Sequence, residues 1–107
     1  MIDKFSILVP ESMKYLADQK VGGGICFDIP GTGNVAFLRL QKGYQHPGQV
    51  YLKIDVAPEG SDKATGYFFY RAESPEQMRE YLLDPGHAED VKKAIRELNE
   101  AVNRRDD

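Results

Sequence analysis

Residues 50–56 read VYLKIDV, and the alternation within them is unbroken. Val50, Leu52, Ile54 and Val56 fall on one side of an extended chain, with Tyr51, Lys53 and Asp55 on the other. Successive side chains of a strand point to opposite faces, so this segment is a strand with one face in an apolar core and the other outside it. A half-buried strand needs neighbours, and the flanking sequence supplies them. ICFDI at 25–29 alternates Ile25, Phe27 and Ile29 with Cys26 and Asp28. PGTGN at 30–34 is dense in turn formers, and VAFLRL at 35–40 returns to strand formers. KGYQHPGQ at 42–49 and APEGSDKAT at 57–65 are polar links, and GYFFYRA at 66–72 is a fourth, aromatic strand.

After residue 73 the period changes. Ser74 stands at the N-cap of a helix, Pro75 at its first position, and Gln77 where a capping box closes. Met78, Tyr81 and Leu82 form its apolar stripe, and DPGH at 84–87 interrupts it. Residues 88–105 then carry Val91, Ala94, Ile95, Leu98 and Val102 on one helical face. Glu89 with Lys93, and Glu100 with Arg104, stand at the favourable four-residue spacing. The two terminal aspartates are expected to fray.

The N-terminal run KFSILV at 4–9 has two readings. It is a short strand with Phe5, Ile7 and Val9 on one face, or an apolar lead-in to a helix that starts at Pro10. Val9, Met13, Leu16 and Ala17 recur at helical spacing, and Gly22, Gly23 and Gly24 are expected to close that helix. The order helix, four strands, two helices, with short links between strands, predicts an α+β two-layer sandwich in one domain over residues 1–107. Its sheet is a four-stranded antiparallel meander, with the N-terminal helix and two C-terminal helices on one face.

The glycines at 22–24 and at 31 and 33 raise the question of a phosphate-binding loop. Such a loop needs a strand, then glycines, then a helix whose N-terminus faces the anion. Here the second glycine group runs into NVAFLRL, a strand, and neither the Walker Lys-Ser/Thr nor the dinucleotide glycine spacing is present. The glycines are turn and cap residues, and no nucleotide or other cofactor is implied.

In a two-layer sandwich the sheet face away from the helices is open. The third strand offers Tyr51, Lys53 and Asp55 there, and the first offers Cys26 and Asp28. The second and fourth strands carry large apolar groups on both faces. The register that puts Phe37 with Arg39, and Tyr67 with Phe69 and Arg71, outward brings both arginines to the open face. The candidate partner-binding set is therefore Phe37, Arg39, Tyr51, Lys53, Tyr67, Phe69 and Arg71. Monomers rarely expose large apolar patches, and aromatic residues and Arg are enriched at protein interfaces.

Catalytic patterns are weak. Cys26, His46 and His87 are the candidate reactive groups, but Cys26 lies mid-strand and the histidines are far from it in sequence. Their spacing fits no zinc motif. Asp28 and Asp55 share the expected open face, where a flat, solvated surface does not desolvate a carboxylate pair, and cross-strand pairing with Lys53 or Arg39 is the expected role.

The formal net charge of −3 argues against a nucleic-acid binder that relies on phosphate neutralisation. An RNA platform built from the aromatics with Arg39, Lys53 and Arg71 is disfavoured by that balance and by the lack of an RNP-type motif. Residues 57–107 hold twelve Asp/Glu against eight Lys/Arg, the solvated side of the helices. One cysteine precludes a disulfide within the chain. FSILV is too short for a secretory leader, and no apolar run has the length of a membrane span. These features together predict a soluble, cytoplasmic, non-enzymatic interaction domain, of the adaptor, inhibitor or immunity type. It would bind a protein partner or form a homodimer through its sheet face. The competing expectation is a small-molecule-binding protein or small enzyme with a pocket between sheet and helices.

Overall fold

The structure, a computed structural model, describes residues 4–105. Helix α1 spans Lys4–Ala17, followed by strands β1 Gly24–Ile29, β2 Asn34–Lys42, β3 Val50–Pro58 and β4 Thr65–Ala72. Helix α2 spans Pro75–Leu83, a single 3-10 turn covers Pro85–His87, and α3 runs Ala88–Asn103. The strands lie in the order β1-β2-β3-β4, every pair antiparallel. The architecture is the α+β sandwich that the pattern of periods predicts.

The alternation of β3 sets the core. Val50, Leu52, Ile54 and Val56 are all buried, and their β2 neighbours on the same face, Ala36, Leu38 and Leu40, are buried with them. Each Val, Leu or Ile among them contributes about 1.5–3 kcal/mol when removed from water, and a slip of one residue would turn the whole set outward. Against this face pack Val91, Ala94, Ile95, Leu98 and Val102 of α3, with Met78 and Leu82 of α2. The expected stripe of α3 is thus buried whole, and that of α2 is buried at Met78 and Leu82, with Tyr81 half-buried against the core.

The N-terminal segment differs from both expected readings. Residues 4–9 are neither a strand nor a lead-in: α1 is continuous through Pro10, which lies inside it. Phe5, Val9, Met13 and Leu16 form one buried stripe at helical spacing, whereas Ile7, needed for the strand reading, is exposed. Pro10 costs the helix a backbone hydrogen bond. Burial of Phe5 and Val9 on the far side of the proline outweighs that cost, and the Arg96 guanidinium lies 5.0 Å from the Phe5 ring centroid.

The helix ends earlier than the glycines suggest. It closes with tight turns from the Asp18 and Gln19 amides to the Tyr15 and Leu16 carbonyls. Gly22, at φ +101°, instead swings the chain into the sheet, where its N–H donates to the Leu40 carbonyl at 2.8 Å.

Two polar clasps join the layers. Asn34, buried at the head of β2, donates through Nδ2 to Asn99 Oδ1 at 2.7 Å and Asn103 Oδ1 at 2.9 Å on α3. Arg105 Nη1 donates to the Lys63 carbonyl and to Thr65 Oγ1, tying the end of the described chain to the link before β4. The Ser74 cap forms, its Oγ accepting from the Gln77 amide at 3.1 Å. The Gln77 side chain reaches one residue further back than a capping box, accepting from the Glu73 amide at 2.6 Å. On α3, Glu89 pairs with Lys92 at 2.9 Å rather than with Lys93. That hydrogen bond and the ammonium charge hold the Glu89 carboxyl below its ordinary range. The C-terminal aspartates lie outside the described residues.

Candidate interaction face

The registers of the three strand pairs lay the open face out in four rows across the sheet. The first row is Asp28–Val35–Ala57, and the second is Cys26–Phe37–Asp55–Gly66. The third is Gly24–Arg39–Lys53–Phe68, and the fourth is Gln41–Tyr51–Arg71. Directly paired residues of antiparallel strands share a face, so these rows are neighbours in space. Ala57 of the first row is buried, whereas the residues of the other three rows are exposed or half-buried.

Phe68 replaces two residues of the expected set. Leu52 pairs with Tyr70 but Lys53 pairs with Phe68, leaving Phe69 as the extra residue of a β-bulge. The bulge inverts the facing of everything before it. Tyr67 pairs with Ile54 and so lies on the helix side, where burial and the nearby Glu97 carboxylate raise its phenol pKa. Phe69 packs against the core, its ring 6.3 Å from that of Tyr67. Placement of Tyr67 and Phe69 on the open face is therefore corrected: a strict alternation through β4 would put them there, and the bulge does not allow it. Arg71, beyond the bulge, keeps its expected face. Phe37, Arg39, Tyr51 and Lys53 also lie where the alternation puts them.

Phe68 is 46% exposed. Its ring lies 5.0 Å from Tyr51 at a tilt of 53°, and Lys53 Nζ is 5.7 Å from its centroid. Lys53 Nζ also stands 3.7 Å from Asp55 Oδ2, an ion pair along one strand rather than across two. Asp55 is the more sheltered partner, its side chain 15% exposed. The opposite position on β4 is Gly66, and a Cβ there would collide with the Asp55 carboxylate and the Ile54 carbonyl oxygen. Gly66 thus leaves the space into which Asp55 folds. At the fourth row, Arg71 Nε lies 3.4 Å from Glu73 Oε1, and Glu73 Oε2 accepts from the Gln49 amide. Arg39 has no ion-pair partner among the described residues. The face is polarised along the strands, with Asp28 and Asp55 toward one end and Arg39, Lys53 and Arg71 toward the other.

The candidate reactive groups do not converge. Cys26 is exposed on the open face of β1. His46 is exposed in the β2–β3 link. His87 lies in the helical layer, stacked on Tyr81 with ring centroids 3.9 Å apart, and Tyr81 in turn stacks on Tyr70 at 3.8 Å. His87 Nδ1 donates to the Tyr81 carbonyl at 2.9 Å. This pile of three rings joins β4, α2 and the 3-10 turn, and burial, with Asp90 and Tyr70 adding to it, pushes the Tyr81 phenol up to about 12. Asp28 and Asp55 are separated by β2 and lie in different rows. No group of three or more His, Cys, Asp or Glu among the described residues could hold a metal ion.

One cavity of about 270 Å³ opens between α1, α2 and the sheet, walled by Leu16, Leu40, Val50, Met78 and Leu82 with Lys20 and Arg79 at its rim. No helix among the described residues is long and apolar enough to cross a membrane. No protein-family model, curated protein or solved structure matches the chain.

Proposed function

We propose that the chain is a small non-enzymatic interaction module that binds a protein through the open face of its sheet. The observation that carries the reading is the band Phe37, Tyr51 and Phe68. These aromatics are interleaved with Arg39, Lys53, Asp55 and Arg71, all of them exposed or half-buried. Aromatics anchored beside charges are what interface centres are made of. The reading places the module in the cytoplasm, where an exposed lone thiol such as Cys26 stays reduced.

The test is site-specific photo-crosslinking in the cells that carry the gene. Benzoylphenylalanine at Phe37, Tyr51 or Phe68 should give protein adducts, and at Tyr15, exposed on α1, should not. Absence of adducts from all three face positions would refute the reading.

The cavity between α1, α2 and the sheet supports a second reading, a small-molecule binder. Its apolar walls with Lys20 and Arg79 at the rim suit an apolar anion. Stabilisation by medium-chain carboxylates that Leu82→Trp abolishes would favour it over the first.

A further inference from the structure

We infer that the partner of the open face is a second copy of this chain, docked about a two-fold axis that runs across the strands between the second and third rows. The inference rests on the interaction reading above and adds the identity and geometry of the partner.

Two sheets that pack face to face by a two-fold axis lying between them have two simple choices. An axis parallel to the strands keeps each row over itself. Arg39 and Lys53 of one copy would then stand over the same cationic row of the other, a like-charge contact in the middle of the interface. An axis across the strands exchanges the second row with the third and the first with the fourth.

Under that exchange every central position meets a complement. Asp55 lies over the partner's Lys53, and Lys53 over the partner's Asp55. Since Lys53 and Asp55 already stand 3.7 Å apart within one chain, four alternating charges close into a ring on the axis. Phe37 lies over the partner's Arg39, which has no ion-pair partner of its own among the described residues and gains an aromatic face. Phe68, the most exposed aromatic of the four rows, lies over the partner's Gly66, where β4 has no side chain of its own and the Asp55 carboxylate folds in from β3. Each charge of the two central rows thus meets its opposite or a ring. That is the self-complementarity an isologous interface requires.

Sheet twist makes packed sheets cross at roughly 30°, so the two central rows match best and the outer rows diverge. Four strands about 4.8 Å apart and some seven residues long at about 3.3 Å each give a face of about 450 Å² per copy. Both copies together bury about 900–1,000 Å², at the lower bound for specific association, so a concentration-dependent dimer is expected.

Charge exchange tests the geometry. Lys53→Asp puts two acidic pairs into the ring, and Asp55→Lys puts two basic pairs there. Sedimentation equilibrium should find the wild type dimerising and each variant weakened by at least about tenfold. An equimolar mixture of the two variants should recover a heterodimer, because the acidic pair of one chain then faces the basic pair of the other. Circular dichroism reports whether each variant is folded.

A second measurement needs no substitution. In this arrangement the Cys26 thiols of the two copies lie within roughly 10 Å, from the sheet spacing and the one-row offset. A short bismaleimide should therefore link wild-type chains through Cys26 into covalent dimers. A strand-parallel axis would separate the thiols by about the width of the sheet, roughly 14 Å.

A wild type that stays monomeric up to about 1 mM would overturn the second-copy inference. The interaction reading would then stand on photo-adducts of foreign mass, or fall without them. A dimer indifferent to both charge reversals, or two weakened variants that do not recover on mixing although folded, would overturn the axis.

Discussion

Replacing Gly66 by Ala is expected to destabilise the fold, although alanine suits a strand better than glycine does. The φ of Gly66 is not left-handed, so the reason is space rather than backbone conformation. A Cβ at this position would fall on the Asp55 carboxylate and on the Ile54 carbonyl oxygen. The first conflict is relieved by rotating Asp55 toward solvent, which gives up its 3.7 Å contact with Lys53, a partly exposed pair that contributes less than about 1 kcal/mol. The second cannot be relieved in that way, because Ile54 is held in β3 between β2 and β4. β4 has to move instead. Its first pairs, Val56 with Thr65 and Asp55 with Gly66, loosen, and the Thr65 contact with Arg105 goes with them.

Two ladder hydrogen bonds lost at about 1 kcal/mol each are offset by the 0.4–1 kcal/mol or so that alanine gains by restricting the unfolded chain. The net is about 1–2 kcal/mol, or a fall in Tm of roughly 5–15 °C for a domain of this size. Gly86→Ala is the control: its φ is not left-handed and its nearest neighbour would be Asp84 Oδ1 at 3.3 Å, so it should change stability by less than about 0.5 kcal/mol. Urea unfolding followed by circular dichroism, at one fixed protein concentration, measures both. A Gly66→Ala midpoint at or above that of the wild type, with an unchanged m-value, would refute the account of Asp55 and Gly66.

Asn34→Ala removes two hydrogen bonds from β2 to α3 and should cost about 1–3 kcal/mol by urea unfolding, where an unchanged midpoint would make the clasp irrelevant to stability. Ser74→Ala removes the cap on the Gln77 amide and should cost about 1 kcal/mol in the same assay, with Ser74→Asp retaining most of it. For Tyr81 the folded pKa lies above the unfolded one, so the unfolded chain loses this proton first. The stabilising contribution is full below about pH 10 and is lost as the pH rises towards 12. Ultraviolet titration of phenolate should find a component near 12 that Tyr81→Phe deletes, and stability above pH 10 should fall less steeply in that variant.

The parts of the fold that were legible in the sequence are those where one physical preference acted without competition. β3 alternates cleanly because one face meets the helices and the other meets solvent, and that pattern set the buried face of β2 through their shared register. The end of the chain read correctly as α3 because its apolar positions keep one period over four turns. Residues 4–9 did not read correctly because Phe5, Ile7 and Val9 fit a strand and Phe5 with Val9 fit a helix, while Pro10 suggested a helix start. The deciding contact is tertiary: Phe5 and Val9 have a core to enter and Ile7 does not. No local pattern carries that information. Glu89 likewise had two lysines within reach on its helix, and pairs with Lys92, whose side chain is buried.

The candidate face depends on one residue that sequence reasoning could not locate. Residues 67–70 are Tyr, Phe, Phe and Tyr, apolar or aromatic at every position, so an extra residue leaves no break in any pattern of polarity. A bulge between polar residues would have shown itself as a skipped beat. Here it is silent, yet it decides which aromatics stand on the open face. Without it, Tyr67 and Phe69 would stand beside Lys53 and Asp55, and Phe68 would enter the helical layer. With it, Phe68 stands in the row of Arg39 and Lys53, and Gly66 in the row of Phe37 and Asp55. The same extra residue therefore brings a large ring and a bare backbone position into adjacent rows, which is the relation a two-fold axis between those rows needs. Bulges recur where a strand must re-aim a side chain, and on this sheet the side chain re-aimed is Phe68, the most exposed aromatic of the face.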